Sequence, residues 1–114
     1  MLRVTSEFWV SAYLRKIEAN GAFGCLLNKG AGAAGAIFVI LNHMDGNFSL
    51  FEPAPQISFD DDDSGERKFL CVHDRVEESK VNEKIVREKK FDSDIWVVEI
   101  EDNQGRHMLD VVKI

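Results

Sequence analysis

The sequence predicts an α+β fold: an antiparallel sheet, made of a meander and a C-terminal hairpin, with an N-terminal helix and a second helix packed on it. Three observations carry this. Near the start, Val10, Tyr13, Leu14 and Ile17 recur at helical spacing. Short runs rich in β-branched and aromatic residues follow, punctuated by turn signals at Asp45-Gly46 and Asn103-Gln104-Gly105. Between the later runs lies a polar segment with only a sparse apolar stripe. A chain of 114 residues, 45% hydrophobic, with two prolines and no internal repeat, has room for one domain over residues 1–114.

Each element has its own signal. Ser6 is placed to cap the first helix, Glu7 suits its positive end, Arg15 and Lys16 its negative end, and Gly21 a left-handed C-terminal cap. Residues 22–28 read as a short buried strand. Residues 36–42 and 48–52 read as two more, joined through Asp45-Gly46 and stopped by Pro53 and Pro55. Residues 56–59 and 68–73 flank the acidic run Asp60-Asp61-Asp62-Asp63 as a second hairpin. Residues 74–90 read as a surface helix on a sparse stripe of Val76, Val81, Ile85 and Val86, with Asp74 and Glu77 at capping-box spacing. In residues 95–101, Trp96, Val98 and Ile100 share one face of a strand that the following turn returns into residues 106–112.

Net charge is −6, and it is unevenly spread: residues 1–58 hold four basic and four acidic side chains, residues 59–114 ten and sixteen. The average field repels phosphate backbones, which disfavours nucleic acid as a partner. The basic cluster Lys80, Lys84, Arg87, Lys89 and Lys90 is interleaved with Glu77, Glu78, Glu83 and Glu88, so it reads as a mixed-charge helix face. The opening residues lack a signal-peptide pattern. The longest apolar run, residues 33–41, is broken by Gly35 and falls far short of the roughly 20 residues that span a bilayer. A cytoplasmic protein without a membrane segment is expected, with Cys25 and Cys71 as buried free thiols.

Four groups of residues could carry chemistry. Gly30-Ala31-Gly32-Ala33-Ala34-Gly35 matches the G-x-G-x-x-G spacing of dinucleotide loops. A strand follows it where that fingerprint needs a helix, so it reads as a flexible hairpin loop and no cofactor is expected. Cys71 and His73 fall on one strand face and could begin a zinc site or a thiol with its base, but Cys25, His43 and His107 complete no recognisable ligand set. The four aspartates could gather a divalent cation; as adjacent like charges they read more simply as a solvated loop tip. Glu99 and Glu101 alternate with apolar neighbours and read as the solvent face of a strand. Phe8, Trp9, Tyr13 and Trp96 are more aromatic bulk than one helical stripe hides; they read first as a helix packed into the core with Trp9 at its margin, and second as a partner-binding surface.

At Ser6-Glu7-Phe8-Trp9-Val10-Ser11-Ala12, Asn20-Gly21-Ala22-Phe23, Pro53-Ala54-Pro55-Gln56 and Asp94-Ile95-Trp96-Val97-Val98-Glu99-Ile100-Glu101-Asp102, the chain resembles a family of small alphaproteobacterial proteins known only as a conserved domain of unknown function. The likeness covers most of the chain; the acidic run stands outside it. It implies a single cytoplasmic α+β domain and supplies no activity and no catalytic residues. The helix, three-strand, helix order also resembles double-stranded RNA-binding domains, which places RNA binding third among the expected functions. First stands a small accessory or interaction module without catalysis, whose partner is another protein or a second copy. Second stands a small-molecule or metal-dependent enzyme using Cys71 and His73 near Gly30, Gly32 and Gly35.

Overall fold

Residues 4–55 and 67–113 are described by the computed structural model. The expected strand arm at residues 56–59 and the four-aspartate run lie outside them. Helix α1, Ser6–Ala19, buries the stripe Val10, Tyr13 and Ile17. Its N-cap is Thr5, one residue earlier than expected, whose hydroxyl accepts the Phe8 amide at 3.1 Å. Ser6 is instead buried, its hydroxyl donating to the Gly35 carbonyl at 2.6 Å. At the other end Asn20 is the cap and Gly21 follows at φ 88°, a left-handed conformation that glycine adopts without steric cost.

The strands are β1 (Phe23–Asn28), β2 (Ile37–Asn42), β3 (Phe48–Pro53), β4 (Lys68–Val76), β5 (Trp96–Glu101) and β6 (Asp110–Val111), with helix α2 (Glu78–Phe91) between β4 and β5. They form one sheet in the order β1-β5-β2-β3-β4-β6. The architecture is α+β, but the sheet is mixed: β5 runs parallel to β2 and β6 parallel to β4, while the other neighbours are antiparallel.

Two expectations about connectivity are therefore corrected. The meander does not start at β1, because β5 inserts between β1 and β2. Among the described residues, β2, β3 and β4 form one. Nor is there a C-terminal hairpin, since residues 102–109 carry the chain from one side of the sheet to the other and β6 lands beside β4. The physical reason lies in β5 itself. Residues 95–98 are apolar on both faces and fully buried, which suits a central strand rather than one arm of a half-solvated hairpin. Strand β4 also runs on to Val76, so α2 starts at Glu78; Asp74 belongs to the strand, and the N-cap Glu77 makes no side-chain capping bond.

The two faces of the sheet carry separate cores. Val10, Tyr13 and Ile17 of α1 pack with Val39, Phe51, Phe69, Trp96, Val98 and Ile100, and Met108, Leu109 and Val111 close over this cluster. On the opposite face Val81 and Ile85 of α2 pack with Phe38, Ile40, Phe48, Leu50 and Val97. Where α1 crosses β1 the approach is close: a Cβ on Gly24 would stand 2.8 Å from the Leu14 Cδ2 atom.

Candidate functional site

The glycine loop is a packed connection rather than a flexible hairpin loop. A Cβ on Gly30 would overlap the Asp94 carbonyl oxygen, and one on Gly35 would overlap the same oxygen and press on the Trp96 ring. The carbonyls of Gly32 and Ala33 accept the amides of Glu7 and Ser6 at 3.0 and 3.2 Å. The Ala31 carbonyl accepts the Trp96 indole N–H at 2.7 Å, while the Ala31 amide donates to Asp94. The loop thus turns acceptors toward the start of α1, the reverse of the amide cradle a phosphate needs.

Cys71 and His73 lie elsewhere. Cys71 stands opposite Phe51, and Phe51 opposite Val39, which places the pair two strands away from β2, the strand into which the glycine loop leads. Both cysteines depart from the expected burial: Cys71 is exposed and Cys25 half-buried. The Cys71 thiol donates to the His73 carbonyl at 3.3 Å, so it engages the backbone rather than the imidazole. Burial and then Asp74 push its pKa up, and burial, Glu99 and Glu101 do the same for Cys25, so neither thiol is activated as a thiolate. Among the described residues no three His, Cys, Asp or Glu side chains are grouped to hold a metal ion.

A polar cluster that the sequence did not point to joins the β2–β3 turn to the end of β4. The buried Ser49 hydroxyl donates to Asp74 Oδ1 at 3.1 Å, meets His43 Nε2 at 2.8 Å and accepts the Arg75 amide at 3.1 Å. The Arg75 guanidinium reaches His43 Nδ1 at 3.0 Å and pairs with the Asp45 carboxylate. Serine, histidine and aspartate together suggest a hydrolase, but proton bookkeeping excludes it in this arrangement. Guanidinium groups only donate, so Nδ1 is the acceptor and the imidazole proton sits on Nε2, where it is given to the serine. The histidine therefore cannot take a proton from that hydroxyl. The cluster is a clasp; Arg75 within it and Met44 beside it stand at φ 54° and 65°.

The four aromatics singled out from the sequence do not share a surface. Trp96 and Tyr13 are core residues, 2% and 4% exposed. Trp9 is half-buried, stacked on Tyr13 with ring centroids 4.7 Å apart and tilted against Phe69. The Tyr13 hydroxyl donates to the His107 carbonyl at 2.6 Å, and burial raises its pKa. Phe8 alone is exposed. Beside Trp9 and Tyr13 lies a small cleft of about 200 Å³ that also takes in Lys16, Met108, Leu109 and Asp110.

Exposed apolar surface concentrates instead on β1, a segment that reads as buried in the sequence. Phe23 is 56% exposed, Leu26 40% and Leu27 53%. Among the described residues β1 pairs with β5 alone, which leaves its outer edge open. Val97 faces α2, so by alternation Glu99 and Glu101 face that side too, and register places Cys25 opposite Glu99 and Phe23 opposite Glu101. Leu27 is the extra residue where the register shifts between Leu26 and Asn28, a bulge in the ladder. Glu99 is half-buried rather than on a solvent face. Burial, Glu101 and Glu78 raise its pKa, against an opposing hydrogen bond from the Asn42 side chain.

A model of a protein family of unknown function, DUF1491, matches residues 4–110. The chain belongs to the DUF1491 family. Among solved structures, it is similar to protein Atu0922 from A. tumefaciens, at 43% identity and a TM-score of 0.84 over 99% of this chain and 98% of that one. The crystal structure of a DUF1491 family protein from Caulobacter crescentus matches at 30% identity and 0.79, covering 98% and 100%. An NMR structure of a DUF1491 protein from the same organism matches at 32% and 0.78, covering 99% and 100%. Among curated proteins none matches. DUF1491 membership accounts for the resemblance carried by the Ser6–Ala12 and Asp94–Asp102 segments and indicates no catalytic function. No helix of the described residues is long and apolar enough to cross a membrane.

Proposed function

We propose that this DUF1491 chain is a non-catalytic interaction module that takes up an extended segment of another protein as an added strand along β1. The observation behind the reading is the open β1 edge with Phe23, Leu26 and Leu27 exposed on it. An unpaired edge offers a row of backbone donors and acceptors, and natural proteins usually blunt such edges with charge, proline or shortness. Strand β1 has six residues, no proline and no charged side chain. The opposite edge, β6, has two residues. Strand addition uses the backbone for affinity and alternate side chains for specificity, so it needs no catalytic constellation. The two free cysteines suit the reducing cytoplasm as its place of action.

A photo-reactive phenylalanine analogue placed at position 27, compared with one at position 87 on α2, tests the proposal in cells. A single adduct of defined mass at position 27, absent at position 87, is expected. It should disappear in a position-27 reporter that also carries Leu26→Lys, which charges the edge. A folded reporter at position 27 that gives no defined adduct overturns the proposal.

A further inference from the structure

We infer that the strand accepted by β1 carries basic side chains two residues apart, read by Glu99 and Glu101 across β1. The inference rests on the strand-addition reading above and adds the chemistry of the partner. On the α2 side of this edge the protein presents Phe23 and Cys25, and one strand further in stand Glu101 and Glu99. Glu78, at the first turn of α2, adds a third negative charge that acts on Glu99. Among the described residues, no lysine or arginine forms an ion pair with any of these three carboxylates. The acidic side chains thus flank an open apolar edge without an ion-pair partner of their own, since Arg106, which lines the same cleft as Phe23 and Glu101, pairs with Asp102.

The geometry sets the spacing. An incoming strand lies two inter-strand spacings from β5, about 9 to 10 Å between backbones. A lysine or arginine stem and a glutamate side chain reaching toward each other span that distance, provided the residue between them is small or flat. Opposite Glu99 the intervening residue is Cys25, a small side chain; opposite Glu101 it is Phe23, whose ring face attracts a cation passing over it. Side chains on one face of a strand repeat every second residue, so the preferred partner reads basic-x-basic, with apolar residues turned toward Leu26 on the other face. A second copy of this chain fits less well. Strand β1 has no charge to offer and would bring its own Glu99 and Glu101 to the same face.

The test uses the isotope-labelled full chain and three eight-residue extended peptides, alternating valine with lysine, threonine or glutamate, followed by amide shifts and intermolecular contacts at residues 23–28. The lysine peptide is expected to contact β1 and to bind about five- to tenfold more tightly than the threonine peptide, the yield of two partly exposed ion pairs. That advantage should fade with added salt and fall to the threonine level in Glu99→Gln/Glu101→Gln. If lysine and threonine peptides both add to β1 with equal affinity, the basic-partner inference is overturned while strand addition stands. If no peptide contacts β1, both fall. Concentration-dependent contacts between β1 strands of two copies overturn the choice of occupant.

Discussion

Ser49 shows how much a single buried hydroxyl can hold. It satisfies an imidazole N–H, a backbone amide and a carboxylate at once, and Ser49→Ala takes that partner from all three; Ser49 itself is 1% exposed, while Asp74 and Arg75 also meet water. The expected loss is about 1 to 3 kcal/mol, read as a lower thermal or urea midpoint. His107 sets a different dependence. Burial and then His43 lower its pKa, so the folded chain favours the neutral ring and the unfolded chain binds the proton more readily. Its contribution is present above its ordinary value of about 6.5 and is lost as pH falls through the lowered one. Asp102, held at about 2 first by hydrogen bonds from the Arg106 side chain, keeps its contribution until far stronger acid. Urea midpoints measured from pH 8 to 4 should therefore decline below about 6.5, and His107→Gln should flatten the early part of that decline.

Helix α2 is lightly anchored, burying Val81 and Ile85 while Val86 and Phe91 stand exposed among its polar residues. Ile85→Ala is expected to cost about 2 kcal/mol, toward the low end for such truncations because the residue retains some exposure. Hydrogen exchange of the α2 amides should accelerate more than that of β2. The same elements show what local sequence can and cannot specify. The α1 stripe, the β2–β3 pair around Asp45-Gly46 and the approximate place of α2 were legible, because each depends on spacing or turn chemistry within a few residues. Sheet order was not, because it depends on which distant segments meet. The four consecutive apolar residues 95–98 were the available sign of a central strand, and the alternating Glu99 and Glu101 drew attention away from it. The open edge was illegible for the same reason: Phe23, Leu26 and Leu27 resemble core residues until the pairing places β1 outermost. The His43, Ser49, Asp74 and Arg75 clasp gathers residues up to 32 positions apart and left no local pattern.

At the scale of the whole molecule, the two ends of the sheet differ in kind. Strand β6 is short, and beside it Lys68 pairs with Asp110. Strand β1 is long, apolar and bordered by carboxylates. Negative charge in the second half of the sequence thus includes Glu99 and Glu101 one strand from a neutral edge contributed by the first half, a juxtaposition that follows only from β5 lying beside β1. The cover over the α1 face is likewise composite, with Tyr13 of α1 bonded to the backbone at His107, 94 residues away.

That insertion of β5 also bears on how the chain is made. During synthesis α1, β1, β2, β3, β4 and α2 all leave the ribosome before the strand that joins β1 to the rest. The β2–β3–β4 meander can assemble early from short-range contacts, but β1 joins the sheet only through residues 96–101. Until then β1 lacks the strand it pairs with in the finished fold, so its apolar side chains stay without that neighbour while residues 29–95 are made.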